Sequence, residues 1–145
     1  MLCVLIMLIP VLLLSSCGES EKSATVTVAG VLSAEKAAGM LTEAYKVKEN
    51  VKFSVDISET AQAVESVQNG KADIALIDRR LTEEEKSSGL IETAFASHKD
   101  SPENVIYIIT PAQDSSEAAV GFRDYILSSA AADILTSAGL IPAGE

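Results

Sequence analysis

Hydrophobic and polar positions follow two different periods along this chain. Apolar residues alternate with polar ones in residues 25–31 and 51–57, and a short run that is apolar except for Asp73 covers residues 72–77. A period of two predicts strands, and a short apolar run between turn residues predicts a strand buried on both faces. Between these strands, apolar residues recur at helical spacing, beginning near Ser33 and near Thr60. The pattern therefore predicts strand, helix, strand, helix, strand.

The second half of the chain continues with two more apolar strands and two more helices. Residues 90–96 and 105–110 predict the strands, with a turn signal around Pro102 between them. Asp114 and Glu117 have the spacing of a capping box, so a helix is expected to begin there. This succession indicates an α/β domain with three layers and a mostly parallel sheet.

The end of the third strand suggests where a site lies. Asp78, Arg79 and Arg80 place three charges directly after the buried run, and Thr82 with Glu85 fits a capping box for the next helix. In open α/β sheets, ligands bind at the carboxyl ends of the strands. The sequence therefore predicts a candidate site at this edge.

The first 17 residues have a character of their own. Residues 1–14 are almost entirely apolar, too short for a membrane-spanning helix of about 20 residues and typical of the core of a secretory signal. Residues 14–17 (LSSC) resemble a bacterial lipobox, in which Cys17 is lipidated; a buried N-terminal helix is the alternative. We expect a lipoprotein signal peptide over residues 1–17, a tether over residues 18–24 and one domain over residues 25–145. The lipid anchor would hold the protein on the outer face of the cytoplasmic membrane.

The charge balance excludes some partners. The formal net charge is −10, and residues 1–17 carry no charged side chain, so the excess lies on the predicted mature part, residues 18–145. This argues against nucleic acid and against electrostatic attachment to anionic lipid. A free anion is also repelled at long range, although a local site can override this repulsion within about 8–10 Å.

The sequence offers little for catalysis. His98 is the only histidine, and no HExxH, Walker or GxSxG motif is present. The run Glu83–Glu85 resembles a metal cluster, but successive helical carboxylates point in different directions, and glutamates in a first turn favour the helix dipole. We therefore expect no enzymatic activity, no metal and no cofactor.

Several stretches together resemble the first lobe of periplasmic phosphate-binding proteins, the solute receptors of ABC phosphate importers. They are TVTVAGVLS, GKADIA, DRRLTEEE, GLIETAFA and residues 104–142. The resemblance implies a periplasmic-binding-protein fold of type II, with a strand order like 2-1-3-5-4. In the family, a whole second lobe lies between the stretches matching residues 94–97 and 105–110, where this chain has only residues 98–103. A single lobe is therefore expected.

The resemblance also implies a ligand site. Three helix N-termini should converge at the carboxyl edge of the sheet, and their free N–H groups suit an oxyanion. By resemblance, Ser33, Ser58, Asp78 and Arg79 would hold phosphate, with Asp78 accepting a hydrogen bond from a protonated phosphate and Arg79 as the main charge partner.

This sequence departs from the family pattern in two of the three loops. Leu32 and Glu59 stand where the family uses small residues, and Glu59 adds a like charge. Each candidate also has a plain structural alternative. The hydroxyl groups would cap helices, and Arg79 and Arg80 would pair with glutamates of the following helix, Glu83 or Glu84.

The predicted function is that of a non-enzymatic, solute-binding-protein-like lipoprotein that binds phosphate or a related oxyanion, with an ABC permease or another protein as partner. The alternative is a degenerate lobe that serves as a protein-interaction or regulatory module without a ligand.

Overall fold

The computed structural model of this protein describes residues 23–113 and 115–144. The predicted signal peptide, Cys17 and most of the tether lie outside the described residues, as does Asp114. The strands are β1 (Ala24–Gly30), β2 (Val51–Ile57), β3 (Ile74–Ile77), β4 (Leu90–His98), β5 (Ser101–Pro111) and β6 (Leu140–Pro142). The helices are α1 (Glu35–Lys48), α2 (Thr60–Gln68), α3 (Glu83–Ser87), α4 (Glu117–Ile126) and α5 (Ala132–Ser137). Short 3-10 turns, Leu32–Ala34 and Ser129–Ala131, lead into α1 and α5.

The described strands form one six-stranded sheet in the order β2-β1-β3-β5-β4-β6. The predicted order of the first five strands is confirmed, as is the α/β fold of a single lobe. Crossovers from β1 to β2 and from β2 to β3 run in opposite directions along the sheet, so right-handed connections put α1 and α2 on opposite faces. In agreement, α1 packs with α4 and α5, while α2 packs on β1, β3 and β5.

The prediction of a mostly parallel sheet is wrong, because most strand pairs in the described sheet are antiparallel. Within the described sheet, β1 pairs in parallel with β2 and β3, but β3–β5, β5–β4 and β4–β6 are antiparallel. The turn Lys99-Asp100 accounts for the β4–β5 pair, since a two-residue loop can join only antiparallel neighbours. The sheet is therefore mixed.

The core lies on both faces of the central strand. All four residues of β3, Ile74 to Ile77, are buried, as its continuous apolar run predicts. On the α1 face, Tyr45, Phe53 and Phe122 form an aromatic cluster with ring centroids 4.6–6.1 Å apart. Packing on both faces holds the central strands in place and so fixes the position of their carboxyl ends. The candidate site lies at these ends.

Helix ends agree with the sequence in part. Thr82 and Glu85 form the predicted capping box of α3. The N-cap of α4 is Ser116, which accepts a hydrogen bond from the N–H of Ala119, so the predicted start at Asp114 is wrong. Gly139 has a φ of 87°, a left-handed conformation that glycine adopts at no steric cost, and it ends α5.

Candidate functional site

Three loops meet at the carboxyl edge of the parallel strands. Gly30 lies in register with Ile57 of β2 and with Leu76 of β3, so the three strands end side by side. Two backbone bonds tie the loops together: the N–H of Val31 donates to the carbonyl of Leu76 at 3.1 Å, and the N–H of Ser58 to that of Gly30 at 2.8 Å. The edge is therefore built from the ends of regular strands, which gives it a fixed shape.

An open groove of about 550 Å³ lies on this edge. It is lined by Val31, Leu32, Ser33, Ser58, Glu59, Thr60 and Asp78. Three of the four predicted ligand residues therefore come together, and Thr60 joins them. The predicted obstruction by Leu32 and Glu59 takes the form of two groove-lining side chains, and Leu32 is 75% exposed.

Asp78 is the centre of the polar contacts in this groove. Its Oδ2 accepts a hydrogen bond from Ser33 Oγ at 3.1 Å, and its Oδ1 accepts one from Thr60 Oγ1 at 3.0 Å. The carboxylate thus bridges the loops after β1 and β2 from the end of β3. Ser58 is held less firmly, since its Oγ lies 3.5 Å from the carbonyl oxygen of Glu59.

These contacts leave the starts of two helices without side-chain caps. No side-chain cap bond is present at the 3-10 turn before α1, at α1 itself or at α2, all of them described elements. Capping by Ser33, Ser58 or Thr60, the structural alternative from the sequence, is therefore wrong. The first N–H groups of a helix have no intrahelical partner. Those beside the groove remain available to an acceptor, whereas α3 and α4 carry side-chain caps from Thr82 and Ser116.

Arg79 lies away from the groove lining. Its Nη1 and Nη2 donate to the two carboxylate oxygens of Glu85 at 2.8 and 2.9 Å, and Nη1 also donates to the carbonyl of Arg80. The hydrogen bond from Arg79, with the N–H of Thr82, lowers the pKa of Glu85 to about 2. The same bond raises the pKa of Arg79. These contacts do not support the predicted role of Arg79 as charge partner of an anion.

Arg80 and the other cations are also placed elsewhere. Arg80 lies 3.6 Å from Glu92 and over the ring of Tyr107. Within residues 23–113 and 115–144, no lysine or arginine lines the groove. The hairpin turn after β4 brings Lys99 and His98 to the same edge, in a neighbouring cavity of about 330 Å³ that shares Ser33 with the groove.

The described part of the chain offers no other obvious chemistry. It contains no group of three His, Cys, Asp or Glu side chains placed to hold a metal ion. Among the helices of residues 23–113 and 115–144, none has the length and apolar character needed to cross a membrane.

Comparisons with known proteins agree with the fold. A family model described as a PBP superfamily domain matches residues 15–104. Among curated proteins, none matches the chain significantly. Solved structures are similar in fold at low identity, so they bear on the architecture alone.

One similar structure, assigned as a phosphate ABC transporter substrate-binding protein from Clostridium perfringens with bound phosphate, has a TM-score of 0.70 and 14% identity, over 81% of this chain and 99% of that one. PstS from Borrelia burgdorferi gives 0.71 and 13%, over 83% and 99%. An ABC-type phosphate transport receptor from Vibrio cholerae gives 0.71 and 11%, over 82% and 100%.

Proposed function

The chain belongs to the PBP superfamily, and from this membership and the groove around Asp78 we propose that it is a non-enzymatic, solute-binding-protein-like module that binds phosphate or a related oxyanion. One observation carries the proposal. The hydroxyl groups of Ser33 and Thr60, which could cap the helices beside them, are directed onto Asp78 instead. The uncapped N–H groups can then donate to an anion in the groove.

Asp78 selects the protonation state of that anion. An ionised carboxylate only accepts hydrogen bonds, so an oxyanion beside it must bring a proton of its own. Phosphate carries at least one proton at neutral pH, whereas sulfate carries none. The groove is therefore expected to accept phosphate and to reject sulfate, although both are tetrahedral.

The affinity should be weak. The groove is open to solvent, and Glu59 adds a second carboxylate to its lining. Hydrogen bonds to charged groups contribute only about 1.5–3 kcal/mol each, and exposure lowers this contribution. A few such bonds correspond to a Kd on the order of 1 mM, equivalent to about −4 kcal/mol.

Calorimetry at pH 7 with phosphate and sulfate tests the proposal. Wild type should bind phosphate at least about tenfold more tightly than sulfate. Asp78→Asn should narrow this ratio, because an amide can also donate to sulfate. Glu59→Gln is the matched control. It removes a neighbouring negative charge, so both anions should bind more tightly, and the ratio of phosphate to sulfate affinity should remain unchanged.

If tens of millimolar phosphate produce no heat and no thermal shift, the phosphate proposal is wrong. The second candidate, a protein-interaction module, would then stand. Two observations favour it. Leu32 is exposed beside two carboxylates, and a two-residue turn joins β4 to β5 at the place where phosphate-binding proteins have their second lobe. Such a surface suits a partner that offers an apolar side chain next to a basic one.

We also propose that the protein is anchored by lipid on Cys17 to the outer face of the bacterial cytoplasmic membrane, where an ABC permease would be its partner. The support is the LSSC sequence after an apolar stretch. Cys17→Ala should move the protein from the membrane fraction to the soluble fraction. Wild type that is soluble and still carries residues 1–16 would contradict the anchor.

A further inference from the structure

We infer that two copies of this chain associate through strand β2, which would join their sheets into one. The starting observation is that β2 forms one edge of the described sheet and pairs only with β1 on its other side. It is seven residues long, while the opposite edge, β6, has three. An uncovered edge strand presents free N–H and C=O groups to another strand.

The direction of the free backbone groups follows from one bond. The N–H of Ser58 donates to Gly30 at the end of β1. Successive residues of a strand direct their backbone groups to opposite edges, so the even-numbered residues of β2 face β1. The odd-numbered residues, including Phe53 and Val55, therefore direct theirs outward. In agreement, the N–H of Val51 bonds to Glu49 and not to β1.

The sequence of β2 is complementary to itself in one antiparallel register. With a two-fold axis through Ser54, Lys52 lies opposite Asp56 of the second copy, and Phe53 lies opposite Val55. Residues directly opposite each other share a face of the sheet, so each pair is in contact. This register uses the full strand and places odd-numbered residues in the hydrogen-bonded positions, as their outward backbone groups require.

The second copy would cover what β2 now exposes. Val55 is 40% exposed, and Lys52, Ser54 and Asp56 are also exposed. Glu49 and Glu59 would face each other two positions beyond the strand, but they lie outside it, at the end of α1 and the start of α2. The net charge of −10 opposes association, and salt near 0.15 M screens this repulsion beyond about 8 Å.

Disulfide trapping in the full-length chain tests the register. The axis through Ser54 brings its two copies to a Cα separation of about 4.5 Å in a non-hydrogen-bonded pair, which suits a disulfide. Ser54→Cys should therefore cross-link with itself. Lys52→Cys should not, but should cross-link when mixed with Asp56→Cys. Wild type under the same oxidising conditions gives the background from Cys3 and Cys17.

Charge reversal tests the pairing without cysteine chemistry. Lys52→Asp and Asp56→Lys should each raise the dimer Kd by about tenfold or more, because like charges then face each other at two symmetric places. The double variant should restore dimerisation. Sedimentation of the full-length protein in detergent measures this.

Three results would overturn the inference. One is a wild type that stays monomeric at high concentration while Ser54→Cys forms no cross-link above background. Another is stronger association of Lys52→Ala, which would mean that the lysine protects the edge against pairing. The third is an intramolecular disulfide between Ser54→Cys and Cys3 or Cys17, which would mean that the chain covers β2 with its own N-terminal segment.

Discussion

At the scale of single residues, Glu85 is the titratable group with the clearest consequence for stability. Its carboxylate accepts hydrogen bonds from both terminal nitrogens of Arg79 and from the N–H of Thr82, and its pKa falls from 4.5 to about 2. A depressed carboxylate pKa stabilises the folded state above the unfolded pKa, and the stabilisation is lost as the pH falls through the folded pKa. The stabilisation by Glu85 is therefore lost as the pH falls from about 4.5 to about 2.

Glu85→Gln should lower the free energy of unfolding at pH 7 by about 1–2 kcal/mol, near the lower end for charged hydrogen bonds. Arg79 is 38% exposed, and solvent screening reduces the contribution of the pair. Urea unfolding at pH 7 and pH 2.5 measures the difference, which should shrink at the lower pH. Glu84→Gln, in the same helical turn, is the control. An equal loss for Glu85→Gln at both pH values would contradict the assignment.

Arg79 illustrates where residue-level reasoning from the sequence stops. The resemblance assigned it to an anion, and the alternative paired it with Glu83 or Glu84. In the structure it binds Glu85, which also closes the capping box with Thr82. The capping box could be predicted because its spacing is fixed. The ion pair could not, because Arg79 and Glu85 are separated by a turn and no helical spacing rule relates them.

At the scale of elements, local rules predicted the strands better than the helix starts. Alternation and the buried run located β1, β2 and β3, because the period of the side chains depends only on neighbouring residues. The caps of α1 and α2 were predicted wrongly because the hydroxyl groups of Ser33 and Thr60 had a distant competitor. Asp78 is 45 and 18 residues away in the chain, and only the sheet topology brings it close.

The connections between elements show the same limit. The strand order followed from the resemblance, but the antiparallel β4–β5 pair follows from the two-residue turn at Lys99-Asp100. The sequence pattern does not predict the short strand β6, which has only three residues and includes Pro142, a residue that cannot donate to a ladder. It pairs with β4 at the sheet edge, where proline is tolerated. The candidate site was predictable as an edge, and its central contacts were not.

At the scale of the whole molecule, the groove and the β2 edge should act independently. Two antiparallel copies of β2 direct their carboxyl ends in opposite directions. The two grooves would then lie at opposite ends of the joined strands, at least about 20 Å apart for seven residues of strand. An anion bound in one groove would therefore not reach the groove of the other copy.

We expect the phosphate Kd of the dimerisation variant Lys52→Asp to agree with that of wild type within about twofold, and saturating phosphate to leave the dimer Kd unchanged within the same range. Coupling between two binding events is reciprocal, so the two measurements must agree with each other. Calorimetry and sedimentation on the same preparations supply both. A change of several fold in either would mean that the end of β2, where Asp56 lies two residues before Ser58, transmits binding between the sites.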